Sequence, residues 1–198
     1  WKNHIKDNEK SMFKVVTSRV NALNKLSHLA SFKQRKMLAN GLVISSLIYM
    51  IQVWGGTSSY LIHILQVLQN RAARIVTRLG WGTSTKVLLD QCGWLSVKQL
   101  VEYHSLILVY KMESKRKPEY LYNKLSVPFT SNTRQSAGNT AENKIKESRI
   151  EYELNRSSFI PRSTISWNKI PAIIRLSPTV DIFKKRLKEW VKINIDIK

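Results

Sequence analysis

Residues 37–70 contain no Lys, Arg, Asp or Glu, although the 198-residue chain around them carries a formal net charge of +20. An uncharged stretch of that length is either buried between helices or inserted in a membrane. Asn40, Ser45, Ser46, Gln52, His63, Gln66 and Gln69 interrupt it, and its first apolar part is barely long enough to cross a hydrocarbon layer of ~30 Å. The expectation is a buried helical pair, with no membrane partner. With 43% apolar residues, six Trp and little Gly or Pro, the chain can close a core around that pair and fits one domain, or one and a half.

The flanking sequence reads as helix almost throughout. Ile5 to Ala30 has neither Gly nor Pro, and Ile5, Met12, Val16, Leu23, Leu26 and Ala30 recur on one face at helical spacing. Arg19 falls inside that stripe, where its charge must snorkel outward or meet an anion. Ser31 is placed to cap a second helix from Phe32 to Trp54, stopped by Gly55-Gly56. Ser58 or Ser59 opens a third, running to Leu79 with Gly80 as its stop. Ser84 to Cys92 makes a short helix closed by Gly93, and Ser96 with Gln99 forms a capping-box pattern for a helix reaching Met112.

Beyond Met112 come a basic run (Lys115, Arg116, Lys117), Pro118 and a short helix around Glu119 to Leu125. Residues 126–157, polar and without periodicity, read as a linker or long loop. Trp167-Asn168-Lys169-Ile170-Pro171 reads as a packed turn between short helices. Ser177-Pro178-Thr179 then launches a last helix with Val180, Phe183, Leu187, Trp190 and Val191 on one face. No internal repeat and no strand-period segment stands out.

The charge excess is spread along the chain, +7 over residues 1–60, +4 over 61–112 and +9 over 113–198. It is therefore built into the fold rather than hung on a tail, and its field attracts phosphate backbones or anionic headgroups. Nucleic acid is the first partner to test, and a merely solvated Lys-rich surface is the plainer alternative. Cys92 is the only cysteine, which excludes an intrachain disulfide and a Cys-based zinc site and fits a reducing, intracellular compartment. The chain opens at Trp1 with neither an initiator Met nor a signal-peptide pattern, and reads as a piece of something longer.

Arg71, Arg74 and Arg78 stand at i, i+3 and i+7, within about a 60° arc of one helix. Their planar donor forks could straddle successive phosphates, whereas the plainer reading is a solvated edge paired to carboxylates elsewhere. Lys184, Lys188 and Lys192 form a second stripe, of a kind common on ordinary exposed helices. Trp54, Trp81, Trp94, Trp167 and Trp190 could stack on bases, but core packing suits most of them better. Trp81, in a Gly-Trp-Gly turn, is the exception. His4, His28, His63 and His104 are scattered without metal-ligand spacing, and no Asp-Asp pair, Walker loop or nucleophile-elbow motif occurs. No catalytic residue, metal site or cofactor is expected in this chain.

Several blocks share an order with a known family: Trp1…His4-Ile5, Leu47-Ile48-Tyr49…Val53-Trp54-Gly55, Leu65…Leu68-Gln69-Asn70-Arg71-Ala72-Ala73-Arg74, and Gly93-Trp94-Leu95-Ser96-Val97. Tyr110-Lys111, Thr133-Arg134, Trp167-Asn168-Lys169-Ile170-Pro171, Ile174-Arg175 and Phe183-Lys184…Leu187-Lys188…Trp190 continue it. Together they resemble the carboxy-terminal region of non-LTR (LINE-type) retrotransposon reverse transcriptases of the jockey, CR1 and L2 sort, over nearly the whole chain. The resemblance implies the thumb, which grips the template-primer duplex, and an extension from residue 113 that helps bind the element's RNA or the nicked target DNA. It also implies a missing palm and fingers, where the Tyr/Phe-Ala-Asp-Asp motif would hold Mg. This chain has no such motif, and it lacks the Cys/His knuckle of some clades.

The sequence thus predicts a mostly α fold: a multi-helix thumb-like bundle over 1–112, a long irregular linker with one short helix over 113–157, and a small C-terminal helical segment over 158–198 that packs on the bundle. Its expected function is non-catalytic binding of an RNA or RNA–DNA duplex backbone through Arg71, Arg74 and Arg78, with Lys184, Lys188 and Lys192 as a second surface. Its expected partners also include the palm and fingers of the same polyprotein, and its expected location is the nucleus and cytoplasm. The alternative is a structural or protein-interaction helical module left from a degraded element.

Overall fold

The computed structural model describes residues 2–125, 145 and 158–195, with side chains from Met12 onward. Expectations resting on the side chains of His4 and Ile5, on Thr133-Arg134 and on most of the 126–157 stretch lie outside the described residues. Every regular element among the described residues is helical and none is a strand, so the fold is mostly α. None of these helices is long and apolar enough to cross a membrane. The chain divides into two compact units, the first ending at Val101 and the second beginning at Glu102.

The first unit starts with α1 (Lys2–Leu26), followed by α2 (Phe32–Ala39) behind a full capping box in which Ser31 and Gln34 exchange backbone and side-chain hydrogen bonds. α3 (Ser45–Ile48), α4 (Ile51–Trp54), α5 (Ser59–Thr77) and α6 (Thr85–Cys92) complete it. α1 and α6 both pack on α5. Val16, Val20 and Leu23 of α1 meet Leu65, Leu68, Ala72, Ala73 and Val76 of α5 and Leu88, Leu89 and Cys92 of α6 in one aliphatic core. Each fully buried Leu or Val there contributes about 1.5–3 kcal/mol of apolar burial. The α1 stripe ends sooner than its periodicity suggests, since Leu26 is half exposed.

Three of the polar residues that argued against a membrane hairpin, Asn40, Gln66 and Gln69, satisfy polar groups in the interior of this unit. Gln69, fully buried, donates to the Leu95 carbonyl at 2.8 Å, and Gln66 accepts from the Val97 N–H at 2.8 Å. Asn40 accepts from the Trp94 indole N–H at 2.8 Å. An apolar residue at these places would leave a buried donor or acceptor unpaired, at about 1–3 kcal/mol each.

The expected single helix from Phe32 to Trp54 is instead three pieces. Residues 40–44 widen to a π turn in which the Ser45 N–H bonds to the Asn40 carbonyl. The chain then breaks at Tyr49-Met50, where Met50 is left-handed at φ 49°. Arg19 supplies the physical reason for the first disturbance: its guanidinium reaches from α1 to donate to the Leu42 carbonyl at 3.3 Å and to Ser46 Oγ. Ser46 Oγ itself donates to the same carbonyl at 2.5 Å. Side chains inserted into the ladder produce this kind of local rewinding. Arg19 therefore neither snorkels nor needs an anion.

α6 follows its sequence closely. Ser84 accepts from the Val87 N–H at its start, and Gly93 ends it in the left-handed region at φ 66°. There the Trp94 N–H bonds back to the Leu89 carbonyl at 2.9 Å, a conformation in which glycine is unstrained. α7 (Val97–Lys115) begins with the Ser96–Gln99 capping box, both bonds present at 3.0 and 3.2 Å. The division between the units falls inside α7.

The second unit comprises the rest of α7, α8 (Glu119–Leu125), α9 (Phe159–Lys169), α10 (Ala172–Arg175) and α11 (Val180–Asn194). Its core is aromatic: Tyr110 stacks on Phe183 at 4.2 Å and 18°, and Trp167 lies 5.9 Å from Phe183. The Tyr110 hydroxyl donates to the Ser177 carbonyl at 2.5 Å, so the ring is satisfied at its polar tip as a buried tyrosine must be. Arg175, almost fully buried, gathers the carbonyls of Trp167, Asn168 and Ile170 at the end of α9. The Trp167–Pro171 turn is thus closed by a guanidinium. Asn168 holds the backbone of Ile145 in both directions, at 3.0 and 2.8 Å, so at least this residue of the 126–157 stretch is fastened to the unit.

Candidate nucleic-acid interface

Arg71 lies exposed on α5, one turn before Arg74. Arg74 is half-buried: its guanidinium carbon sits 5.0 Å from the centroid of the Trp81 ring, and Nη2 donates to the Trp81 carbonyl at 3.4 Å. Its Nε is buried and makes no hydrogen bond. Arg78 is exposed but no longer helical. α5 stops at Thr77, and Arg78 turns left-handed at φ 60°, two residues before the glycine expected to end the helix. The cause is tertiary: the Val76 carbonyl, which would accept from Gly80 in a continuing helix, accepts from Arg35 Nε at 3.0 Å, while Leu79 turns to pack against the core.

Arg35 is the residue that sequence reasoning missed here. Only 6% exposed, it also donates from Nη1 to the Ala30 carbonyl at 2.6 Å. Burial, and secondarily the nearby Arg78, push its pKa below the ordinary guanidinium value. Two guanidiniums thus approach one another at the end of α5, and among the described residues no carboxylate forms an ion pair with Arg35, Arg71, Arg74 or Arg78. The one legible signal was numerical: thirteen acids cannot neutralise thirty-three bases, so unpaired basic clusters must exist.

The second predicted set lies in the other unit, on α11. Lys184 pairs with Asp181 at 3.2 Å, while Lys188 and Lys192 are exposed. Beside them Arg186 donates to the Ile173 carbonyl at 2.9 Å and so fastens α11 to α10. A solvent-exposed i,i+3 pair of this kind is worth little, but the Asp181 carboxylate offsets the positive charge that Lys184 could offer a phosphate.

The tryptophans sort as packing predicts. Trp94 and Trp167 are buried, Trp54 and Trp190 are half-buried, and Trp81 is 80% exposed. Among the described residues no group of His, Cys, Asp and Glu could hold a metal ion. His104 is half-buried with its pKa lowered by burial and by Lys111, and Cys92 is buried with its thiol pushed up to about 11 by desolvation, against a smaller opposing pull from Lys36. No protein-family model matches the chain, and neither a curated protein nor a solved structure matches it.

Proposed function

We propose that the chain is the thumb and post-thumb region of a non-LTR, LINE-type reverse transcriptase, and that it grips an RNA–DNA or RNA duplex by its backbone without reading sequence. The ordered sequence blocks that resemble that family support the family reading. The observation that carries the binding reading is the end of α5, where Arg71 and Arg74 lie on a helix backed by a packed aliphatic core, Arg78 follows at its C-terminal cap, and none of the three forms an ion pair with a carboxylate among the described residues. Rigid backing matters because a phosphate contact gains most when its donors are already held in place. In this role the chain has no reaction centre of its own; Mg and the chemistry belong to a palm, and the working location is the nucleus and cytoplasm.

The mechanism is counterion release. Each phosphate neutralised frees condensed cations, so the logarithm of the binding constant falls with the logarithm of salt at about 0.9 per contact for a duplex. Titrating an RNA–DNA duplex against the chain over a range of salt concentrations should therefore give a steep line, nearly the same for unrelated sequences. A flat line, or no binding at low salt, contradicts the proposal.

A second reading has its own observation. Tyr49, Met50, Val53 and Tyr60 are each more than half exposed over the turn region that joins α3, α4 and α5, and apolar side chains held outward in this way suit a protein contact. Under the first reading that contact is with the palm and fingers of the same polyprotein. Under the second, the chain is an interaction module whose charge is balanced by an acidic partner. Specific capture of an acidic protein together with absent duplex binding would favour the second.

A further inference from the structure

We propose that Trp81 is a stacking platform for an unpaired nucleobase, placed beside the phosphate-binding arginines. The inference rests on the nucleic-acid reading above and names a substrate feature that the arginines alone do not: a strand with at least one base out of the duplex.

Four observations meet at this residue. The ring is 80% exposed, which is unusual for the largest apolar side chain, in a chain whose other described tryptophans are buried or half-buried. One face of the ring is occupied by the Arg74 guanidinium, 5.0 Å from the centroid, and the ring's exposure leaves the opposite face open to solvent. The turn is held: the Thr83 N–H bonds to the Gly80 carbonyl at 3.2 Å, and Arg74 Nη2 pins the Trp81 carbonyl at 3.4 Å. Beyond their own chain neighbours, no described residue comes within 4 Å of where a Cβ would stand on Gly80 or Gly82, so the described residues do not crowd either side of the turn.

Chemistry selects the occupant. A cation held against one face of an indole leaves the other face as a flat, polarisable surface, and nucleobases of every kind offer a matching π face. A base inside a duplex is already stacked on its neighbours, so it is an unpaired base outside the duplex that can use the platform. The same nucleotide brings a phosphate, for which Arg71, Arg74 and Arg78, without an ion pair among the described residues, are the neighbours along the chain. Arg74 then serves both features, supporting the ring from beneath and contributing its charge to the strand.

The test uses the whole chain and two probes at one fixed salt concentration: a blunt RNA–DNA duplex, and the same duplex with a short unpaired tail. The wild type should bind the tailed probe more tightly and lose part of its tryptophan fluorescence on binding it. Trp81→Ala should weaken binding of the tailed probe about tenfold, abolish that quenching and leave blunt-duplex affinity within twofold. Trp81→Phe, which keeps an aromatic face, should retain most of the affinity without the quenching. The platform is contradicted if Trp81→Ala binds both probes as the wild type does. It is equally contradicted if the substitution weakens both probes alike, since Trp81 would then act only by holding Arg74. Failure of the wild type to bind either probe at low salt overturns the duplex-binding reading, and this inference with it.

Discussion

The two units solve the same problem with the same residue and arrive at different surfaces. Each contains a buried arginine that donates to backbone carbonyls: Arg35 to those of Val76 and Ala30, and Arg175 to those of Trp167, Asn168 and Ile170. In the first unit the buried guanidinium takes the Val76 carbonyl where α5 ends early, and Arg71, Arg74 and Arg78 around that end form no ion pair among the described residues. In the second, Arg186 and Lys184 are engaged by Ile173 and Asp181. A net charge of +20 is thus not one binding surface. Part of it is internal structure, part is locally engaged, and part is exposed in both units.

The largest expected effect separates the two buried arginines. Arg175→Met leaves three carbonyls of the second unit short of a donor and should cost about 3–5 kcal/mol in urea unfolding, while Arg35→Met, with two, should cost about 2–3. The comparison breaks if Arg35→Met is the more damaging. Its sharper form is local: hydrogen exchange should accelerate in α9 for the first variant and at the end of α5 for the second.

pH should divide the units next. Cys92 keeps its proton to about pH 11 when folded but only to about 8.5–9 when unfolded. The first unit therefore has its full stability below that lower value and loses on the order of 2 kcal/mol as pH rises toward 11. Cys92→Val should flatten this alkaline limb. His104 behaves oppositely in the second unit: its folded pKa lies below the unfolded value of about 6.5, so its contribution is present above that value and lost as pH falls. Glu113, whose pKa burial raises, works against that acid loss, and His104→Gln isolates the histidine. Alkaline melts in which the second unit opens first would contradict the assignment. The smallest effect is Tyr110→Phe, which removes one hydrogen bond to the Ser177 carbonyl but keeps the stack on Phe183, and should cost about 1 kcal/mol.

Local chemistry was legible and long-range chemistry was not. The Ser31 cap, the Ser96–Gln99 box, the short helix from Ser84 with its Gly93 stop and the start of α11 after Ser177-Pro178-Thr179 follow from residue types a few positions apart, and each is present. The π turn at residues 40–44 was invisible because the Leu42 carbonyl is met by a guanidinium twenty-three residues away. The early end of α5 was hidden for the same reason, since Arg35 acts across forty-one residues. Charge also misled at Arg19: its place in an apolar stripe suggested solvent or an anion, yet a backbone carbonyl and a hydroxyl meet its guanidinium within the fold. The Arg71 and Arg74 positions were readable from helical spacing. Arg78 left that arc when its backbone turned left-handed, and the Arg74–Trp81 pairing required a turn whose path no pattern of spacing encodes.

The central claim is that the phosphate-gripping charge lies at the end of α5 rather than on α11. Its most direct test is the salt dependence of duplex binding for two triple variants, Arg71, Arg74 and Arg78 to Gln in one and Lys184, Lys188 and Lys192 to Gln in the other, both checked for retained helicity. The account predicts that the arginine variant lowers the slope by about 2–3, and the lysine variant by less than about 1, with no change of sequence preference in either. An arginine variant with the wild-type slope, or a lysine variant with the larger loss, would contradict it.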